Sequence, residues 1–387
     1  MNWRVITARS LTLLFGIAAV PAIRAQNPPA TPPSATAQPA TTPQTAPPAT
    51  PPQSVPPGVN PQTTAPPTTA PTPAVPEPTQ TFAAWLADLR IEALAKGITD
   101  ATFDKAFVDV APDPVVIARD RMQPEQTQSL DQYLAARLTP KNIASAQAAL
   151  TDQKDLLERV RSAYGIPPTI MVSIWGIESG FGQFLGTRPV IASLATLAYD
   201  ARRPALFRSE LIEALRILDK GLVALPDLKG SWAGAMGQPQ FMPSSYLRHA
   251  VDFDGDGKAD IWTSKADVLA SMANYLKKAG WIEGERWGRE VSVTPEVLAR
   301  IEKTVPLRSS GCAARKQMTE LRPLAAWSEL GVTMPDGSKL PTAAIHASLV
   351  RGVHRYFLAY HNYEAILDYN CSNSYAVSVG VMSDTIK

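Results

Sequence analysis

The sequence predicts a mainly α-helical protein with few short strands. Two observations carry that prediction. Apolar residues recur at helical spacing in segment after segment, and prolines stand at segment starts, where a missing N–H costs nothing. Strand signals are few, and the best is 290–293. The first helix is expected at 82–96, with Phe82, Trp85, Leu86, Leu89 and Ala93 on one face and Gly97 to end it. A short second helix follows at 99–107, then helices at 126–138 and 140–163. Segment 168–180 opens at Pro167-Pro168 and closes at Gly180; Met171, Ile174, Trp175, Glu178 and Phe181 form its stripe. Segments 204–220, 264–279, 295–303 and 319–330, and a C-terminal segment near Tyr375, complete the series. The chain between 221 and 260 reads as long connections, where functional surfaces tend to gather. No internal repeat is visible.

Composition divides the chain into three. Residues 1–25 read as an export signal: Arg4 and Arg9 form a basic start, 11–20 a short apolar core, and cleavage falls after Ala22 or Ala25. The core is too short for an ordinary membrane span, although an uncleaved anchor is the alternative. The first cysteine is Cys312, so no lipid-acceptor cysteine follows the signal. Residues 26–80 hold 19 of the 36 prolines, one charge (Glu77) and no aromatic, so they cannot bury enough apolar surface to fold. They are expected to be a partly stiff spacer. Residues 81–387 are the folded region.

That region is formally neutral. Arg4, Arg9 and Arg24 account for three of the 37 basic residues, and Glu77 for one of the 35 acidic ones. A nucleic-acid binder would carry a basic excess, so that class is excluded. Export points to the periplasm. Cys312 and Cys371 are the two cysteines of an exported chain, which invites a disulfide; the sequence does not show whether they are close. Four scattered histidines give no zinc pattern.

The run Ile174-Trp175-Gly176-Ile177-Glu178-Ser179-Gly180-Phe181-Gly182 puts one carboxylate in an apolar, aromatic, glycine-rich setting. A carboxyl group drawn out of water holds its proton nearer neutrality, which suits a general acid for glycosidic cleavage. A buried Glu paired with an Arg is the other reading. A second run, from Gly230 to Ser245, mixes glycines, neutral hydrogen-bonding groups (Ser231, Gln238, Gln240) and soft or flat apolar surface (Trp232, Met236, Phe241, Met242). Sugar recognition uses that mixture; a tight turn packed on the core would use it too. A third run has Asp252, Asp254 and Asp256 at the spacing of an EF-hand loop start, with Gly257 at its turn. Lys258 can offer a carbonyl and Asp260 stands at the ninth position, but the twelfth is Thr263. The loop reads either as a structural calcium site, closed by Asp267, or as a turn held by its own Asx hydrogen bonds. No organic cofactor is implied.

Together these three runs, with 194–203, 273–276 and the Tyr369-Asn370 pair, resemble the B-type lytic murein transglycosylases across 81–387. The resemblance implies a lysozyme-like helical core with an inserted EF-hand-like loop at 252–267. It implies cleavage of the β-1,4 bond between N-acetylmuramic acid and N-acetylglucosamine in peptidoglycan strands, leaving a 1,6-anhydro-muramyl end. On it, Glu178 matches the single acid/base. Ser231, Gln240 and Asn370 match polar cleft residues, Tyr369 and Tyr375 the C-terminal tyrosines, and Arg202 and Arg203 paired arginines near substrate. Asp252, Asp254, Asp256 and, across a one-residue insertion, Asp267 match the metal loop.

The chemistry agrees with the residues. A hydrolytic glycosidase commonly uses two carboxylates, whereas these motifs supply one. One suffices if the substrate's own C6 hydroxyl is the nucleophile. Asp200 and Glu210 are the candidate second carboxylates. Two other classes stay open: a hydrolytic muramidase, whose product is heavier by one water, and a non-catalytic wall-binding module.

Overall fold

The structure is a computed structural model, and it describes residues 79–121 and 128–387. The expected signal, nearly all of the spacer and the first two residues of the 126–138 helix lie outside the described residues.

Helices dominate, as the sequence predicts. The first three are α1 (Phe82–Ala95), α2 (Asp100–Ala106) and α3 (Pro114–Arg121). Thr81 and Thr99 cap α1 and α2 through their side chains. Next come α4 (Leu130–Arg137), α5 (Pro140–Asp152), α6 (Lys154–Tyr164) and α7 (Pro168–Ser179). Ser129 and Gln132 close a capping box at the start of α4. The single helix expected at 140–163 is broken at Gln153, which ends α5 and begins α6. The break lets α5 pack on α7 while α6 turns onto α11 (Lys265–Lys278).

The middle of the chain holds β1 (Arg188–Pro189), α8 (Val190–Tyr199), α9 (Pro204–Asp219), β2 (Lys229–Gly230) and α10 (Pro243–His249). The strands β1 and β2 pair antiparallel. Helix α8 has no sequence signal because it is apolar on nearly every side, so it shows no period. It packs against α9 more extensively than any other two elements pack on each other.

The rest comprises β3 (Gly288–Val291), α12 (Pro295–Thr304), α13 (Ala313–Lys316), β4 (Arg322–Pro323), α14 (Leu324–Glu329), β5 (His346–Arg351), β6 (Tyr356–Ala359), α15 (His361–Tyr369) and α16 (Asn373–Thr385). Four strands form an antiparallel sheet in the order β3-β6-β5-β4. The helix expected at 319–330 is corrected here. Only 324–329 is helical, because Pro323 cannot sit inside a helix and instead pairs with His346 at the sheet edge.

Three apolar cores result. One gathers α4 to α7 with α11, α15 and α16. A second gathers α1 to α3 with α8 to α10. The third lies under the sheet, around Trp327. Tyr369 packs against both of the first two. Cys312 and Cys371 are joined in a disulfide, with Cα atoms 6.4 Å apart across 59 residues of sequence. The bridge ties α13 to the turn between α15 and α16.

Candidate functional site

Helix α7 carries Glu178 in its last turn, half-buried. The helix is otherwise sunk in the first core, with Ile170, Met171, Val172, Ile174 and Trp175 all buried. Gly180, at φ +58°, stops it in the left-handed region. The chain then turns back toward β1.

Two phenols face the carboxylate. Tyr369 ends α15 and Tyr375 begins α16, and their rings stack at 6.4 Å and 10°. Both are pushed well above the usual tyrosine value, by burial first and by the charge of Glu178 second. Glu178 is the carboxylate whose charge bears on both phenols. The Tyr369 hydroxyl donates to the carbonyl of Pro239 at 2.7 Å and so pins α15 to the 230–245 run. Tyr275 and Phe241 extend this aromatic wall, 4.8 and 5.7 Å from the Tyr369 ring. His249 lies against Tyr275 at 4.3 Å. Its pKa is lowered to about 4, by burial and then by Lys278 and Arg248.

The 230–245 run is a tight, cross-braced turn. Ser231 Oγ accepts from the backbone N–H groups of Ala233 and Ala235, which leaves its own O–H to donate outward. Gly186 passes so close that a Cβ there would strike the carbonyl of Gly230 at 2.1 Å. Gln240 sits at φ +51°, a conformation that side chains rarely adopt. Its amide donates to the carbonyls of Gly237 (2.7 Å) and Leu185 (3.3 Å), so its oxygen remains available. The Asn370 side chain, part-buried beside Tyr369, makes no hydrogen bond among the described residues. Three neutral polar groups from two distant segments therefore keep unspent valences.

Gln238 behaves differently. It is buried, accepts from Trp175 Nε1 at 2.7 Å and donates to the Trp262 carbonyl at 2.8 Å. It braces α7 rather than facing a ligand.

The arginine pair is committed elsewhere. Arg202 bonds to Asp120 Oδ2 at 2.7 Å and Arg203 bonds to Asp120 Oδ1, with Asp120 only 1% exposed. Asp120 was not legible, since neither it nor α3 has a pattern in the sequence. The two candidate second carboxylates are also occupied. Asp200 faces Arg121 at 3.6 Å. Glu210 accepts from the N–H and the hydroxyl of Ser244 at the start of α10.

In the aspartate loop, Asp252, Asp254 and Asp256 bring carboxylate oxygens within 4.8 Å of one another, all exposed. That donor set is all oxygen and triply charged, which fits a hard divalent cation. Asp267 stands apart from the cluster. Its buried carboxylate accepts from the backbone N–H groups of Phe253, Asp254 and Asp260, so it staples the loop from beneath. The carboxylates of Asp252 and Asp256 also accept backbone N–H groups within the loop.

Residues 81–384 match the Transglycosylase SLT domain family. The chain is 31% identical over 255 residues to membrane-bound lytic murein transglycosylase B of Escherichia coli, an alignment spanning 66% of each chain. Among solved structures, it resembles SltB3 from Pseudomonas aeruginosa, crystallised with NAG-anhNAM-pentapeptide: 42% identity, TM-score 0.70, covering 79% of this chain and 80% of that one. It also resembles the Escherichia coli lytic transglycosylase Slt35 in complex with calcium: 27% identity, TM-score 0.64, covering 78% and 92%.

Proposed function

The chain belongs to the Transglycosylase SLT domain family, and we propose that Glu178 is the single acid and base with which it cleaves peptidoglycan strands to 1,6-anhydro-muramyl ends. The observation that supports this is one carboxylate whose charge bears on two stacked phenols, Tyr369 and Tyr375. Protonated Glu178 donates to the oxygen leaving with N-acetylglucosamine, and the C1–O bond breaks. The substrate's acetamido group stabilises the cationic muramyl ring. Ionised Glu178 then takes the proton of the C6 hydroxyl as that oxygen bonds to C1. No water is consumed and Glu178 ends protonated, ready for the next cycle. Because nucleophile and electrophile share one sugar ring, closure is intramolecular.

The surroundings divide the remaining work. Ser231, Gln240 and Asn370 hold N-acetyl and ring hydroxyl groups through the valences left unspent. Tyr369 and Tyr375 stay protonated at working pH, so they add no second negative charge beside Glu178. Arg202 and Arg203 shape the cleft through Asp120 instead of clamping a carboxylate. Asp252, Asp254 and Asp256 hold calcium as a structural ion, with Lys258 adding a carbonyl and Asp267 buttressing the loop from below. The protein is exported to the periplasm and reaches the wall across its proline-rich spacer.

Glu178→Gln tests the assignment. Gln keeps the shape and loses the transferable proton, so the variant should melt like the parent yet release no anhydro-muropeptides from purified sacculi. Product mass separates the rival: a hydrolytic muramidase would yield fragments heavier by one water. Retention of more than a few per cent of turnover would remove Glu178 from the mechanism.

A further inference from the structure

Against the last turn of α7 lies a concavity that the proposed reaction does not use. It is a cavity of about 250 Å³ between the end of α4, the start of α5 and the last turn of α7. Gly176, Ile177 and Gly180 form its floor, so it abuts the turn that carries Glu178. Arg137 and Lys141 stand on its wall, both exposed. Neither makes an ion pair among the described residues; Arg137 rests its guanidinium over Tyr133 at 5.2 Å. No acidic side chain lines the cavity. At its rim Phe184 is 72% exposed and lies against Gly180, where an added Cβ would meet the ring at 3.0 Å. An exposed aromatic seated on a glycine beside two uncommitted cations is a recognition surface for an acid with an apolar part.

From this geometry we infer that the cavity is a subsite for the stem peptide of the strand being cut, with Arg137 and Lys141 receiving its carboxylates. The inference rests on the proposed substrate, and it commits to peptide over sugar on charge. The N-acetylated sugar rings are neutral, whereas a stem peptide carries carboxylates. Two cations with nothing to neutralise are misplaced against neutral sugar and well placed against peptide acid. Phe184 covers the apolar side chains of the same peptide. Gly176 and Gly180 leave room for the Phe181 and Phe184 rings to lie against the helix that bears Glu178, which gives the peptide an aromatic surface beside it.

The test uses the full mature chain and two substrates: strands bearing pentapeptides, and the same strands stripped of peptide by an amidase. Lys141→Glu is the first variant, since Lys141 is exposed and makes no ion pair among the described residues. Arg137→Ala with Lys141→Glu is the second. On peptide-bearing strands KM should rise about tenfold with kcat kept, the scale of one lost charge-assisted contact. On stripped strands, which keep only the lactyl acid, the change should be several-fold smaller. Raising salt should erode the wild-type preference for peptide-bearing strands. Calorimetric binding of a disaccharide-pentapeptide and of the bare disaccharide reads the same preference without turnover. If the enzyme fails to cut either strand, the proposed reaction falls while the binding comparison still judges the subsite. Equal losses on both substrates, or no loss with Lys141→Glu in either assay, would overturn it.

Discussion

Gln238→Leu gives the sharpest test of how the acid is held. In the native chain Gln238 joins Trp175, three residues before Glu178, to the carbonyl of Trp262. Leucine fills nearly the same volume and removes both bonds. Trp175 is 2% exposed, so its indole N–H would be left buried and unpaired, at a cost of about 1–3 kcal/mol. The Trp262 carbonyl loses its partner as well, for roughly 1 kcal/mol more. A total of about 2–4 kcal/mol corresponds to a fall in Tm of about 3–6 °C for a folded region of this size. Differential scanning calorimetry reads that fall directly. Below the transition KM for glycan strands should change little, because Gln238 does not face the cleft. A Tm drop under about 2 °C with a large rise in KM would refute the reasoning and make Gln238 a sugar ligand.

Other outcomes follow from the same geometry. His249 is held at about pKa 4 against an ordinary 6.5, so the folded state resists its protonation. Its contribution is therefore complete above pH 6.5 and is lost as pH falls toward 4; discounted for partial exposure, it is about 1–2 kcal/mol, and urea titrations of His249→Phe should show a flatter acid limb. Replacing Cys312 and Cys371 together by serine should cost about 4 kcal/mol, from the freed loop of 59 residues, and lower Tm without changing m by much more than the added chain freedom requires. Millimolar calcium should raise Tm by mass action and a chelator should reverse it, with turnover unaffected; no shift would make the aspartate loop a metal-free turn, and Asp252→Asn should abolish any shift seen.

Much of this molecule was legible in the sequence where pattern and chemistry coincide. Helix α7 was bounded to within a residue because Pro168 opens it and Gly180 closes it. Glu178 stood out because a carboxylate on an apolar stripe conflicts with its neighbours. Helix α8 was not legible, since an apolar segment with no polar face has no period to read. The β5–β6 hairpin was missed because Ala347, Ser348, Leu349 and Val350 are all buried, which erases the alternation a half-exposed strand would show. At the site, residue types were readable but their commitments were not. Nothing local distinguishes Gln238, which is spent on Trp175, from Gln240, which keeps an acceptor. Nor does Arg202-Arg203 announce Asp120, some eighty residues earlier, as its partner.

Helix α16 carries Tyr375 at one end and packs along α7, where Ser383 bonds to Thr169 at 2.8 Å and Gly380 lies under the Trp287 ring. The helix bearing Glu178 thus gets part of its enclosure from a segment some two hundred residues further along the chain. A partial chain lacking 373–385 would have its acid on a helix stripped on one side, with no partner phenol at Tyr375.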